Sequence, residues 1–129
     1  DVSLLMGETE IMARTTAIGI TNNLFGEGHL PYADRPDGGV LGIYVTVARA
    51  RSEVLSFVLN MARGRWRDNQ QVEIHQSEEV TLTIRSRRRK LKAAIDGELC
   101  ELSPETHVRI HPGALSVVAP AASSLARAA

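Results

Sequence analysis

Ile95-Asp96-Gly97-Glu98 joins two short runs that each have the composition of a β-strand, residues 91–95 and 98–102. An Asp-Gly pair between two such runs is a strong signal for a two-residue type I′ hairpin, because both residues tolerate positive φ. The same turn would hold the carboxylates of Asp96 and Glu98 at the end of a rigid scaffold, where a general base can be mounted. From spacing alone the hairpin turn is the simpler interpretation, and the two interpretations are compatible.

Most of the chain outside this hairpin also has strand-like patterning. Some runs are rich in β-branched residues, and others alternate apolar with polar residues. These segments are 10–21, 40–47, 72–74, 80–84, 106–110 and 115–119. Residues 22–39 are instead dense in Gly, Pro and Asx, which predicts an ordered loop.

Residues 52–63 are the one segment with helical periodicity. Val54 and Val58 share a face, Ser52 is a suitable N-cap, and Gly64 is a suitable left-handed stop. Many short strands with a single helix predict a mostly β fold, and the architecture expected is a two-layer antiparallel β-sandwich with one main α-helix at about 52–63.

Composition narrows the class of protein. The 129 residues suit one domain, and 43% of them are apolar but only 4% aromatic, so the core must consist of Val, Ile, Leu and Ala. Fifteen basic residues balance fifteen acidic ones, which argues against a nucleic-acid partner. Cys100 is the only cysteine, which excludes a disulfide framework and favours a reducing compartment. The absence of an initial methionine predicts a piece of a longer protein, and the tail from about 121 is expected to be disordered.

A basic run lies between two of the predicted strands. It consists of Arg85, Arg87, Arg88, Arg89, Lys90 and Lys92. A solvated hairpin tip is the simpler interpretation, and contact with anionic lipid head groups is the alternative. Trp66, flanked by two arginines, allows the same two interpretations, a packed aromatic or a membrane-boundary residue.

Several short segments follow one another in a recognisable order: 19–23 with Gly26 and Gly28, 31–34, 37–41, 55–63 with Gly64, 95–98, and 111–115 with Pro120. Taken together and in order, they resemble the C-terminal domain of the diacylglycerol kinase catalytic-domain family, an NAD-kinase-like family that includes bacterial lipid kinases and sphingosine kinases. The resemblance covers nearly the whole chain.

The resemblance implies a β-sandwich that closes a cleft against an N-terminal nucleotide-binding domain, whose Gly-Gly-Asp-Gly motif does not occur in these 129 residues. It implies that Glu98, with Asp96 beside it, is the general base for transfer of the ATP γ-phosphate to a lipid hydroxyl, with Mg²⁺ neutralising the phosphates. It also implies a structural magnesium site in the loop of residues 34–41, with Asp34 and Asp37 as carboxylates. The family usually has Asp-Asp-Gly there, and this chain reads Asp37-Gly38-Gly39.

The parent protein is therefore expected to be a bacterial lipid kinase of the diacylglycerol kinase type, cytoplasmic and peripheral to the membrane. Its expected partners are the N-terminal domain, a lipid substrate and a second copy in a homodimer. The chain alone should be inactive, because it has no loop to position the phosphates. Two alternatives stay open: a non-catalytic lipid- or ligand-binding sandwich, which Gly38 favours, and a structural module that self-associates through open sheet edges.

Overall fold

The computed structural model describes residues 1–26, 35, 37–46, 60, 72–86 and 90–118. These residues form nine strands in chain order: β1 (Val2–Met6), β2 (Thr9–Ala13), β3 (Ile18–Asn22), β4 (Leu41–Thr46), β5 (Val72–Ser77), β6 (Glu79–Ile84), β7 (Leu91–Ile95), β8 (Glu98–Leu102) and β9 (Glu105–Arg109).

The strands form three sheets in which every strand pairing is antiparallel. One sheet has the order β2-β1-β6-β9, the second has the order β3-β4-β5, and the third is the β7-β8 hairpin. The prediction of a mostly β, antiparallel fold is therefore confirmed.

The two larger sheets share one hydrophobic core. Its buried members come from β1 and β6 of the four-stranded sheet and from β4 of the three-stranded sheet, and they are Val2, Leu4, Leu41, Ile43, Val45, Val80 and Leu82. Because one apolar cluster draws on both sheets, the sheets cover each other in a sandwich-like manner. The aliphatic composition of this cluster agrees with the low aromatic content of the chain.

The central strand of the smaller sheet is buried on both faces. Five of its six residues, from Leu41 to Val45, are buried, in agreement with the continuous apolar run read at 40–47. On β6 the alternation is also as expected, because Val80 and Leu82 are buried while Thr81 and Thr83 are not.

The chain returns from the three-stranded sheet to the four-stranded sheet through a single residue. Glu78 separates β5, an edge of the three-stranded sheet, from β6, a central strand of the four-stranded sheet. The Ile110 amide donates a hydrogen bond to the Glu78 carbonyl oxygen over 3.0 Å. This hydrogen bond therefore ties Ile110, the residue that follows β9, to the corner between the two sheets.

Two strand predictions differ from the structure. β1 was not predicted, although it pairs with both β2 and β6. The strand predicted at 115–119 is wrong for residues 115–118, which form no strand and leave Leu115, Val117 and Val118 between 81% and 105% exposed. Residues with β propensity form a strand only where a partner edge is available, and none of the nine strands pairs with this segment.

Other predictions fall on parts of the chain for which no structure is given. The helix at 52–63 lies outside the described residues except for Asn60, which is helical, and so does the tail from 121. Arg87, Arg88 and Arg89 of the basic run also lie outside the described residues, and the strands that flank the run, β6 and β7, belong to different sheets and do not pair with each other. In the described portion of the chain, no helix has the length and apolar character needed to span a membrane.

Candidate functional site

The Asp96-Gly97 turn has the geometry that the sequence predicts. Asp96 has φ 49° and Gly97 has φ 88°, and Ile95 pairs directly with Glu98. Positive φ at both central residues of a two-residue loop is the signature of a type I′ turn. A Cβ at Gly97 would meet nothing within 4 Å, so the glycine is required for its backbone conformation and not for space.

Glu98 projects from the face of the hairpin that is turned toward the core. Residues paired directly across two strands lie on the same face, so Glu98 shares its face with Ile95 and, further along, with Leu102. Leu102 packs against the hydrophobic core, whereas Ile95 is 53% exposed. This face is therefore covered by the core at Leu102 and open to solvent at Ile95, and the carboxylate of Glu98 lies beside the Ile95 side chain.

Both carboxylates at the tip are accessible. Asp96 and Glu98 are exposed, and within the described part of the chain neither side chain makes a hydrogen bond or an ion pair. Leu99, on the opposite face, is 69% exposed. The tip thus combines two carboxylates with two large apolar side chains, and such a surface can accept a proton from a group presented by an amphiphilic ligand.

The base of the hairpin is held separately from its tip. Lys90 Nζ donates to Glu101 Oε1 over 2.7 Å, and both side chains line a small cavity of about 140 Å³ together with Ile84 and Pro104. This ion pair is exposed to solvent, so its contribution to stability is about 0–1 kcal/mol. The packing of Leu102 against the core is the stronger anchor of the hairpin.

A second cluster of polar and aromatic groups lies where β3 ends and β4 begins. Asn23 is buried, has φ 65°, and donates its backbone N–H to the Val40 carbonyl oxygen over 2.9 Å. The Tyr44 hydroxyl accepts the Phe25 N–H over 2.7 Å, and the two rings stack with centroids 5.0 Å apart. Residues 19–23 carry part of the family resemblance, but no spacing in the sequence predicts that Asn23, Phe25 and Tyr44 form a cluster. The local signal for it is an asparagine directly after a strand, a residue that tolerates positive φ.

The loop that contains Asp37 meets the segment after β9. The Gly38 N–H donates to the Arg35 carbonyl oxygen over 3.1 Å and closes a turn. Gly39 has φ 71°, and a Cβ there would lie 3.6 Å from Pro112. The structure therefore joins two segments, 37–39 and 111–113, that are far apart in the sequence.

Next to this loop is an open cleft of about 310 Å³. Asn23, Phe25, Arg35, Gly38 and Gln76 contribute to its lining. Arginine and amide side chains give the cleft polar character, while Phe25 supplies an apolar wall.

Asp37 is the one carboxylate among the described residues of this loop. Mg²⁺ takes near-ideal octahedral oxygen ligands and is usually held by one or two carboxylates. Asp37 is exposed, glycine occupies position 38, and the cationic Arg35 lines the adjacent cleft. Nowhere in the described ranges do three or more His, Cys, Asp or Glu side chains converge to hold a metal ion. Asp34 lies outside these ranges.

The candidate residues fall in two separate places. Asp96 and Glu98 come together at the hairpin tip, and the hairpin leaves the end of β6 that is distant from the Glu78 corner. Asp37 lies in another loop, two residues before Gly39, which approaches Pro112 near that corner. Trp66, Arg87, Arg88 and Arg89 lie outside the described residues.

Comparison with protein families matches residues 3–119 to the YegS C-terminal NAD kinase beta sandwich-like domain. The match runs from the second residue of β1 to beyond β9 and includes both the hairpin tip and the loop at Asp37. Its sandwich-like description agrees with two sheets that share one core. The chain therefore belongs to this family, the C-terminal NAD-kinase-like β-sandwich domains of the YegS and diacylglycerol kinase family of lipid kinases.

Proposed function

We propose that this chain is the C-terminal domain of a diacylglycerol-kinase-like lipid kinase and that it contributes the general base for transfer of the ATP γ-phosphate to a lipid hydroxyl. The observation that carries the proposal is the hairpin tip. A type I′ turn presents Glu98 as an exposed carboxylate at the uncovered end of the core-side face. Membership of the kinase-like family supports the same reaction class.

In the proposed reaction, Glu98 accepts the proton of the lipid hydroxyl while the hydroxyl oxygen attacks the γ-phosphorus. ADP leaves with the β–γ bridging oxygen, and the phosphorylated lipid is the product. Positioning and charge stabilisation supply most of the catalysis in phosphoryl transfer. A base in this reaction therefore needs a fixed position more than a buried environment. Asp96 lies in the two-residue turn directly before Glu98 and is assigned a supporting role.

ATP and Mg²⁺ are assigned to an N-terminal nucleotide-binding domain that forms the other wall of the cleft. Without that wall, the γ-phosphate is not positioned in line with the hydroxyl, and the chain alone is expected to be inactive. The enzyme is placed in the cytoplasm at a membrane surface, where its lipid substrate resides.

The apolar side chains at the tip fit a lipid-side wall. Ile95 and Leu99 are largely exposed on the two faces of the hairpin, directly beside Glu98 in space or in sequence. An acyl or sphingoid chain that covered Ile95, on the same face as Glu98, would bury apolar surface at about 25 cal/mol per Å² while its hydroxyl reached the carboxylate.

The substitution Glu98→Gln in the full-length kinase tests this proposal. It keeps the size of the side chain and removes its ability to accept a proton, so we expect turnover to fall by about 10²–10⁴-fold while ATP affinity is unchanged. Turnover is measured with ATP and a diacylglycerol dispersed in mixed micelles.

Glu101→Gln is the matched control for this experiment. Glu101 is on the same strand but on the opposite face, and its carboxylate pairs with Lys90. Because this ion pair is exposed, removing the charge of Glu101 should leave turnover close to that of the wild type. Near-normal turnover of Glu98→Gln, or an equal loss in both variants, would remove Glu98 from the role of base.

The second candidate function is a sandwich that binds lipid without catalysis, and the exposed pair Ile95 and Leu99 is the observation that favours it. In that case Leu99→Ser would weaken co-sedimentation with liposomes while no substitution at Glu98 affected any phosphorylated product. Detectable phosphorylation of lipid by the full-length protein would exclude this alternative.

A further inference from the structure

We propose that the loop before β4 is held in place by the hydrogen bond from Asn23 to Val40 and by the close approach of Gly38 to Asn23, and that it does not need a divalent cation. The architecture of this loop is independent of the catalytic role assigned to Glu98. The family resemblance implies a magnesium site here, and the residues that surround position 38 in this chain do not fit one.

The backbone of Asn23 is held in place by neighbouring residues. Its backbone N–H donates to Val40, its carbonyl oxygen accepts from the Thr21 hydroxyl over 2.8 Å, and it forms a bridge with Leu41. The residue is only 3% exposed and has φ 65°, a conformation that asparagine adopts more readily than most residues. The carboxamide is therefore carried on a backbone that is tied to the start of the central strand.

Gly38 lies directly against that carboxamide. A Cβ at position 38 would be 3.1 Å from Asn23 Oδ1 and 3.2 Å from the Arg35 carbonyl oxygen, both shorter than ordinary van der Waals contact. A side chain at position 38 would require Asn23 Oδ1 and the Arg35 carbonyl oxygen to move away by a few tenths of an ångström. The turn that the Gly38 N–H closes on Arg35 and the buried position of Asn23 therefore disfavour a second carboxylate at position 38.

The other side of the loop is also braced by protein atoms. Gly39 adopts φ 71° and sits against the ring of Pro112, in the turn that follows β9. Contacts with the end of β3, with its own turn and with the segment after β9 thus hold residues 38–40. The exposed Asp37 adds a single negative charge, which solvent can stabilise without a bound ion.

The proposal is tested by a double-mutant cycle with the full chain, in which thermal unfolding is measured for Asn23→Gly, Gly38→Ala and the double variant. Asn23→Gly keeps the positive φ accessible and removes the carboxamide. Gly38→Ala introduces only the crowded methyl group, because Gly38 does not have positive φ. We expect Gly38→Ala to lower the Tm by roughly 3–8 °C and to have a smaller effect in the Asn23→Gly background. Additive effects of the two substitutions would overturn the proposed contact.

Gly19→Ala is the matched control, because a Cβ there meets its nearest atom at an ordinary 3.8 Å and its φ is not positive. Every Tm is measured in MgCl₂ and in EDTA. We expect the wild type and Asp37→Asn to unfold at the same temperature in both solutions. A Tm of the wild type that rises with Mg²⁺ and no longer does so in Asp37→Asn would show a cation site in this loop and overturn the inference. The wild-type comparison remains decisive even if Gly38→Ala does not fold.

Discussion

β4 and the β7-β8 hairpin are both antiparallel β structure, yet they differ in what surrounds them. β4 has a partner strand on each side and is buried along five of its six residues. The hairpin is a two-stranded sheet whose base reaches the core through Leu102 and whose tip leaves Ile95 and Leu99 exposed. Two-stranded sheets are marginally stable on their own, so the hairpin depends on its anchor.

This difference separates the part of the molecule that stabilises the fold from the part that can carry chemistry. Substitutions in β4 should change the free energy of unfolding, because they leave cavities or clashes in a packed interior. Substitutions at the hairpin tip should change it little and should act on function. The proposed base therefore lies in a region where sequence can vary with little effect on stability.

The largest expected effect is that of Ile43→Ala. The side chain is fully buried in the core that both large sheets share, so we expect the free energy of unfolding to fall by about 2–5 kcal/mol. Leu99→Ala at the hairpin tip is the counterpart, and because Leu99 is mostly exposed its cost should be within about 0.5 kcal/mol. Urea denaturation measures both, and similar losses would mean that the hairpin tip is packed against the rest of the chain.

An intermediate effect is expected where β3 and β4 meet. A Cβ at Gly42 would lie 2.8–2.9 Å from Thr21 Oγ1, the Asn23 carbonyl oxygen and the Tyr44 hydroxyl, so Gly42→Ala should cost about 1–3 kcal/mol. Gly19→Ala, on the neighbouring strand, meets only ordinary contacts and should be nearly neutral. The same urea experiment compares the two, and equal costs would show that strand glycines are sensitive here for a reason other than space.

After Ile43→Ala and Gly42→Ala, a smaller effect is expected for Gly97→Ala. Nothing crowds this position, so the cost comes from φ 88° alone and should be about 1 kcal/mol, confined to the hairpin. Gly97→Asn should cost less, because asparagine tolerates this conformation. Faster amide hydrogen exchange in β7 and β8, with unchanged exchange in β4, is the expected result; equal acceleration in β4 would show that the hairpin unfolds only together with the core.

Features set by neighbouring residues could be read from the sequence. The type I′ turn at Asp96-Gly97 requires only two adjacent residues with positive φ, and the buried strand at 41–46 requires only a continuous apolar run. The proximity of Asp96 and Glu98 follows from the turn itself. Their assignment as catalytic residues stays a prediction.

Features set by distant partners could not be read in this way. β1 lies between β2 and β6, and its pattern is weakened because Ser3 is buried and Leu5 is 44% exposed. Residues 115–118 have strand composition but find no partner edge among the described strands. The contact of Gly38 with Asn23, and of Gly39 with Pro112, depends on loops brought together by the fold, which no spacing in the sequence reveals.

The position of β1 between β2 and β6 has a consequence for how the chain acquires its structure. Val2 pairs with Ile84, so the four-stranded sheet cannot close until the chain has been made through β6, and β9 must then add to its edge. Sheets dominated by such distant pairings fold in about milliseconds to seconds, more slowly than proteins built from local contacts. During synthesis, β1 and β2 can form a hairpin early, with Leu4 still uncovered and one strand edge open. This interval is when the nascent domain is most exposed to aggregation.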